Sequence, residues 1–196
     1  MKAHLLAATL AASLPLAAQA DEVRYELDPS HMSIVFNADH IGYGNTWGMF
    51  LKASGSFMFD EEALTVSDLK VEVDTDSVFS NHDRRDGHLR NADFLDTGNF
   101  PVATFVMTDN EKLSDTTGTI TGDLTLIGET RPVTLDVTLN KIGPYPFGNN
   151  YVVGVTASTT IKRSEWGMSY AVDNGLVGDE VPLIIEVEAI RQEGAS

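Results

Sequence analysis

Apolar and polar side chains alternate in a series of windows between residues 33 and 189. In the first such window, Ile34, Phe36 and Ala38 are separated by residues that are mostly polar. A period of two places every second side chain on the same face of an extended chain, so the pattern predicts β-strands. The eight windows with this alternation cover residues 33–40, 57–59, 69–75, 103–107, 120–126, 133–139, 153–161 and 183–189.

Short connections made of turn-forming residues separate these predicted strands. Examples are FDEE at residues 59–62, SDTTG at 114–118 and NKIGPYPFGNN at 140–150. Such connections predict antiparallel neighbours. An all-β domain of eight strands protects its edges most simply by closing, so we expect an eight-stranded antiparallel barrel, with a two-sheet sandwich as the alternative. A barrel of this size is filled by side chains or holds one slender ligand.

One segment, residues 81–95, lacks the alternation and predicts a short helix near residues 82–92, capped by Asn81 or Asp83. This segment is basic within an acidic chain; it contains His82, Arg84, Arg85, His88 and Arg90. Three interpretations of the arginines remain open. They are solvated and paired with nearby acids, they bind loop carbonyls and hold the helix across a barrel end, or they meet the polar head of a ligand.

The first 20 residues have the pattern of a cleaved secretory signal peptide. Lys2 precedes an apolar stretch from about Leu5 to Ala18, and the small residues Ala18 and Ala20 flank Gln19 before the acidic Asp21. The apolar stretch is shorter than the roughly 20 residues that a membrane-spanning helix needs. We therefore expect cleavage after Ala20 and a periplasmic protein that is not anchored in the membrane.

The charge and the cysteine count exclude several classes of partner and site. Cleavage removes one cation, Lys2, and so takes the formal net charge from −16 to −17. Such an acidic protein is repelled by nucleic acid and by anionic lipid headgroups. The chain has no cysteine, which excludes disulfides, thiolate metal sites, thiol catalysis and covalent haem attachment.

Catalysis and metal binding receive no support from motifs. The sequence contains no G-x-S-x-G, no phosphate-binding loop and no H-E-x-x-H, and chance alone produces carboxylate pairs in a chain with 29 acidic residues. His82 and His88 are six residues apart, which places their rings on different faces of a helix. His40 continues the apolar face of its strand. The sequence therefore predicts no enzyme, no catalytic residue and no metal site.

Four segments of the chain together resemble the YceI-like family of exported bacterial proteins. They are YELDPSHMSIVFNADH (25–40), SVFSNHDRRDGHLRNADFLDTGNFPVATF (77–105), GDLTLIGETRPVTLDV (122–137) and IKRSEWGM (161–168). The resemblance implies a lipocalin-like barrel that encloses a long isoprenoid chain or a quinone-type amphiphile. It also implies a cleaved signal peptide at residues 1–20 followed by one YceI-like lipid-binding domain at residues 21–196.

With this resemblance, we expect two groups of side chains to contact the ligand. The first group would line the cavity around the tail and consists of Phe36, Trp47, Phe57, Phe94, Phe105, Trp166 and Met168. The second group would form a rim for the polar head and consists of His40, Arg85, His88, Arg90 and Arg163. Residues that depart from the family pattern are Met32, Trp47, Met49, Leu95 and Trp166. Bulkier side chains on the cavity side would shorten or reshape the tunnel, so the ligand class carries over better than its length.

The sequence thus favours a carrier, store or scavenger of a long-chain lipid, with no covalent cofactor. The alternative is a structural or partner-binding exported domain without a stoichiometric lipid. The resemblance is also compatible with a homodimer.

Overall fold

Eight antiparallel strand positions close into a β-barrel in the computed structural model, which describes residues 22–192. The predicted signal peptide lies outside the described residues. Closure comes from pairing of the first strand with the last, so that residues 25–36 lie beside residues 183–191. The prediction of an eight-stranded antiparallel barrel is therefore confirmed, and the sandwich alternative is wrong.

The strands follow one another around the barrel with few crossings. In chain order they are β1 (Val23–His40), β2 (Gly44–Phe50), β3 (Ala53–Asp60), β4 (Thr65–Asp74), β5 (Val78–Phe79), β6 (Val102–Lys112), β7 (Thr117–Leu126), β8 (Glu129–Pro144), β9 (Tyr151–Lys162) and β10 (Glu180–Arg191). β2 and β3 share one barrel position because they pair with successive parts of β1. β4 and β5 likewise share one barrel position, because β4 pairs with β3 and β5 pairs with β2.

β1 is longer than the sequence pattern predicts, since it begins ten residues before the first alternating window. Its register against β10 shifts between Leu27 and Met32, where the chain reads Asp-Pro-Ser-His. Asp28 accepts the backbone N–H of Ser30 at 2.8 Å, which folds these residues into a local turn within the strand. This irregularity breaks the period of two and hides the start of the strand from a pattern-based prediction.

The predicted helix is present as α1 (Asp83–Leu89), which is shorter than the predicted segment. The predicted cap is wrong. His82 caps the helix, and its ring nitrogen Nδ1 accepts the backbone N–H of Arg85 at 3.3 Å. Two 3-10 turns, Thr75–Ser77 and Arg163–Trp166, flank strand ends. None of the helices within residues 22–192 is long and apolar enough to cross a membrane.

The two ends of the barrel differ in what covers them. The helix end, as the term is used below, carries the β1–β2 turn, α1 and the segment 163–179. The hairpin end carries the connections at residues 61–64, 113–116 and 145–150. One core cluster surrounds the buried Trp166 and includes residues of the helix end. A second surrounds Tyr25 and lies toward the hairpin end.

Candidate ligand-binding site

An elongated cavity of about 670 Å³ occupies the barrel interior. Its walls are mainly apolar because the inward positions of the strands carry aliphatic and aromatic side chains. On β10 the lining side chains recur at every second position; they are Val181, Leu183, Ile185, Val187 and Ala189. The volume lies within the range of about 300–1,000 Å³ that is usual for small-molecule sites.

The cavity is long and narrow. Val181 and Ala189 are eight residues apart on β10, which corresponds to about 26 Å along the strand at ~3.3 Å per residue. The lining continues to Ile41 at the helix end and to Thr117 at the hairpin end. An extended, flexible, apolar molecule matches this shape.

Five of the seven side chains predicted to surround the tail do line the cavity. They are Phe36, Phe57, Phe94, Phe105 and Met168. They come from β1, β3, β6 and the two segments that follow α1 and β9, so several barrel positions contribute. Met32 and Leu95, two of the departures from the family pattern, also line the cavity, whereas Met49 does not belong to the lining.

The structure corrects the expected position of the other two, Trp47 and Trp166. Trp47 is 53% exposed and points to the outside, because it alternates with the cavity-lining Thr46 on β2. Trp166 is only 1% exposed, yet it packs behind the cavity wall. Its indole Nε1 donates to the carbonyl of Leu124 at 3.1 Å, which fixes the 3-10 turn Arg163–Trp166 against β7.

Four of the five predicted rim residues lie together at the helix end. His40, Arg85, His88 and Arg163 all line the cavity there, although they come from three separate parts of the sequence. Arg90 is the exception, since it is outside the lining. The expected convergence of Arg163 with the 81–94 segment is seen directly, because its guanidinium lies 5.5 Å from the centre of the Phe94 ring.

Arg163 is buried and uses its guanidinium to hold the loop that covers the helix end. Its Nε donates to the carbonyl of Gly178 at 2.8 Å, and its Nη1 donates to that of Met168 at 2.6 Å. Its Nη2 donates to the carbonyls of Tyr170 and Val177, both at 2.9 Å. Burial lowers the pKa of Arg163 from its ordinary value, but the group remains a cation.

Arg85 and Arg90 also bind backbone carbonyls. Arg85 donates through Nε to the hydroxyl of Ser80 at 2.7 Å and through Nη2 to the carbonyl of Ser80. Arg90 donates to the carbonyls of Asp76 and Val78, both at 2.8 Å. These bonds match the second of the three interpretations given above, in which the arginines hold the helix across the barrel end.

An aromatic cluster lies at the cavity's helix end. The ring of His88 meets the rings of Phe94 and Tyr170 edge-on, at centroid distances of 5.0 and 4.9 Å. Its Nε2 is 2.9 Å from a carboxylate oxygen of Asp93, which orients the ring. His88 therefore offers a cavity-lining face and one ring nitrogen, Nδ1, that is not engaged by Asp93.

Sequence reasoning missed a hydrogen-bond network at the hairpin end. The hydroxyls of Tyr25 and Tyr151 donate to the two carboxylate oxygens of Glu61 at 2.7 and 2.9 Å, and Arg191 lies 3.4 Å from the same carboxylate. Burial, followed by the bond to Glu61, raises the pKa of Tyr25 far above its ordinary value. The bond to Glu61 also raises the pKa of Tyr151.

A second missed anchor lies beneath α1. Asp86 is buried, and its carboxylate accepts the backbone N–H of Ser80 at 2.7 Å and the hydroxyl of the same residue. The motif that carries the family resemblance contains Asp86 next to Arg85, and this adjacency was the available signal.

The β1 irregularity brings Asp28, His31 and Glu188 together on the outer surface. Nδ1 of His31 lies 2.8 Å from Asp28 and 3.7 Å from Glu188. The hydrogen bond from His31 lowers the pKa of Asp28, and the same bond raises the pKa of His31. The three potential ligand atoms lie within 4.8 Å of one another, but the group is outside the cavity and its geometry is accounted for by ion pairing.

Comparison with known proteins agrees with this geometry. The YceI-like domain family matches residues 25–189. A UPF0312 protein of Pseudomonas paraeruginosa is 40% identical over 194 residues, which cover 98% of this chain and 100% of that protein. The crystal structure of the Campylobacter jejuni YCEI protein superposes with a TM-score of 0.73 at 28% identity, covering 79% of this chain and 90% of the other.

A more distant structure shares the fold. It is described as a polyisoprenoid binding domain from Saccharophagus degradans that is implicated in plant cell wall breakdown. Its TM-score is 0.66 at 15% identity, and the match covers 87% of this chain and 99% of that one.

Proposed function

The chain belongs to the YceI-like domain family, and from this premise we propose that it is an exported binding protein for a long-chain isoprenoid or quinone-type amphiphile. It would act as a carrier, store or scavenger rather than as an enzyme. The observation that carries the proposal is the long apolar cavity of about 670 Å³ through the barrel. The polyisoprenoid-binding description of the Saccharophagus degradans domain supports the ligand class.

The energetics of an apolar tail suit reversible carriage. Removing a five-carbon unit from water gains about 4 kcal/mol, at ~0.8 kcal/mol per carbon group. The competing environment is a bilayer, in which the tail is already shielded from water. Transfer between bilayer and barrel is then nearly neutral, so the protein can both load and release its ligand.

Because the apolar tail gains little on moving from bilayer to barrel, the polar head of the ligand would determine which lipids bind. At the helix end, Arg85 and His88 line the cavity while their hydrogen bonds to Ser80 and Asp93 hold them in place. Side chains that are fixed in advance lose little entropy when a ligand binds. The guanidinium of Arg163 donates to four backbone carbonyls. Arg163 would therefore act on the head group indirectly, by holding the shape of the loop and by its positive charge.

The proposal places the protein in the periplasm, because residues 1–20 have the charge, length and small-residue pattern of a signal peptide. Its acidic composition, with a formal net charge of −16, favours a soluble carrier over a protein adsorbed by charge onto anionic lipid.

Native mass spectrometry of the protein expressed in a bacterium with its own N-terminus tests the proposal. We expect a stoichiometric excess mass that extracts into organic solvent as a long-chain amphiphile. A bare polypeptide mass that stays unchanged after incubation with a polyprenol and a quinone would contradict the proposal. That result would favour the partner-binding alternative.

A pair of neighbouring substitutions on β9 makes the test specific for the cavity. Ala157 is buried and lines the cavity, whereas Ser158 points to the outside. Ala157→Trp fills the lumen, so we expect the bound ligand to fall about tenfold or more. Ser158→Trp adds the same side chain outside and should leave occupancy unchanged. Circular dichroism checks that both variants keep the barrel.

A further inference from the structure

We propose that the helix end docks on the surface of a neutral lipid bilayer through four exposed side chains, Ile41, Tyr43, Tyr170 and Leu176. These four residues are termed the lip. The inference rests on the proposed function, since it names the surface through which an apolar tail passes between membrane and cavity without crossing water. The lip residues come from two loops, the β1–β2 turn and the segment that follows Met168.

The lip is continuous with the cavity. Ile41, Tyr170 and Leu176 line the cavity and are each nearly half exposed to solvent. The backbone N–H of Ile41 donates to the carbonyl of Leu176 at 3.2 Å, which ties the two loops together. Tyr43 stands outward beside them with 93% of its surface exposed. An apolar path therefore leads from the lumen to the outer surface.

The backbone conformation at Ile41 is unfavourable for its apolar, β-branched side chain. Ile41 and Gly42 are the central residues of the β1–β2 turn, with φ of 59° and 71°, and the N–H of Tyr43 donates to the carbonyl of His40 at 3.1 Å. Turns with two positive φ angles strongly favour Asn-Gly, and a β-branched residue there is an outlier. Backbone strain of this kind accumulates at functional surfaces.

The lip also lies in a stretch of chain that is almost free of charge. Residues 41–51 contain no charged side chain, and residues 169–178 contain only Asp173, in a chain with 29 acidic residues. The nearby Asp39 is engaged in the turn, where its carboxylate accepts the N–H of Gly42 at 3.0 Å. The low charge of the lip limits the desolvation cost that charged side chains would incur at a membrane interface.

At the opposite end of the cavity, charged side chains lie at the rim. There the exposed lining residues include Glu111, Lys112 and Asp115, and the nearby β3–β4 connection contains Glu61 and Glu62. Tyrosine, with an apolar ring and a polar hydroxyl, is typical of membrane–water interfaces. The uncharged lip and its two tyrosines, which lie at the mouth of the cavity, therefore favour docking of the helix end on the bilayer.

Cosedimentation of the mature protein with sucrose-loaded phosphatidylcholine vesicles tests the proposal. We expect Tyr43→Ser to lower the partition coefficient about tenfold, and the double variant Tyr43→Ser with Leu176→Ser to lower it about a hundredfold. The matched control is Phe147→Ser, because Phe147 is 80% exposed at the hairpin end. It should change partitioning less than about twofold.

Ile41→Asn separates loss of the lip from loss of the fold. Asparagine suits the turn better than isoleucine, so this variant is expected to raise Tm while it lowers partitioning several-fold. Equal partitioning of the lip variants and Phe147→Ser would overturn the proposal, as would undetectable binding by the natural sequence. Dimers of the natural sequence that the lip variants abolish would also overturn it, since a second copy would then cover the lip.

The ligand itself distinguishes the two proposals. Native mass spectrometry in detergent measures loading of a polyprenol without a bilayer. Lip variants that load normally but fail to bind vesicles would support the docking surface. Failure of the natural sequence to load any amphiphile would refute the proposed function, whatever the vesicles show.

Discussion

At the scale of single residues, Arg163 shows how one buried cation can organise a loop. Its four hydrogen bonds reach carbonyls between residues 168 and 178, a stretch without strand structure of its own until the barrel resumes at β10. Bonds from a charged donor to buried carbonyls are stronger than neutral ones. The loop over the helix end is therefore held by the Arg163 side chain in addition to backbone bonds such as those from Gly178 to Asp39 and from Ile41 to Leu176.

Arg163→Met should destabilise the protein markedly. It leaves four carbonyls without their donor, and we expect a loss of about 3–5 kcal/mol in the free energy of unfolding. Urea denaturation measures the loss. Arg131→Met is the control, because Arg131 is exposed and pairs with Glu129 on the surface, where such a pair contributes about 0–1 kcal/mol. Similar losses in the two variants would contradict the role assigned to Arg163.

The network around Tyr25 makes stability depend on pH at the alkaline end. The pKa values of Tyr25 and Tyr151 are raised in the folded protein above their ordinary value of 10.0. The unfolded chain therefore loses its phenolic protons first, and stability is fully present below about pH 10 and falls as pH rises further. Urea denaturation between pH 8 and 11 should show this decline, with a smaller slope in Tyr25→Phe. An unchanged slope would contradict it.

At the scale of elements, close contact between neighbouring strands fixes where glycine is required. Gly122 on β7 lies beneath the Phe105 ring of β6, and a Cβ there would lie 2.5 Å from that ring and 2.6 Å from the carbonyl of Val106. The carbonyl is part of the sheet and cannot move aside. Phe105 also lines the cavity, so the β6–β7 contact sets the position of a cavity wall.

Two glycine-to-alanine substitutions are expected to have opposite effects. Gly122→Ala should destabilise the barrel by about 1–3 kcal/mol through overpacking. Gly87→Ala should stabilise it by about 0.5–1 kcal/mol, because Gly87 lies within α1 and a Cβ there has no neighbour within 4 Å. Thermal unfolding should show a lower Tm for Gly122→Ala and a higher Tm for Gly87→Ala than for the unsubstituted protein. A stabilised Gly122→Ala would refute the close β6–β7 contact.

At the scale of the whole molecule, the barrel and its helix were predictable because they rest on local patterns. The strand windows alternate with a period of two, and residues 81–95 do not. The face of Trp47 was not predictable, because the sequence of β2, GNTWGMF, has no clear alternation of apolar and polar residues. The Tyr25–Glu61–Tyr151 network was not predictable either, because its members are distant in sequence and meet only after the barrel closes.

The roles of the arginines fall between these cases. The sequence predicts a basic segment at a barrel end, and the structure places Arg85 at the cavity there. It does not predict that Arg90 reaches back to Asp76 and Val78. Which carbonyls lack a strand partner depends on where the strands end, and this is set by three-dimensional packing.

Closure of the barrel between β1 and β10 has a consequence for how the chain folds. Ser33 pairs with Glu186, 153 positions later, so the entropy of closing a very long loop is lost before this pairing contributes any stability. Proteins dominated by such distant contacts fold in milliseconds to seconds rather than microseconds. Until β10 pairs with them, β1 and β9 are open edge strands that can pair with other chains. Pairing of the twelve-residue β10 thus converts an open, aggregation-prone sheet into a closed barrel.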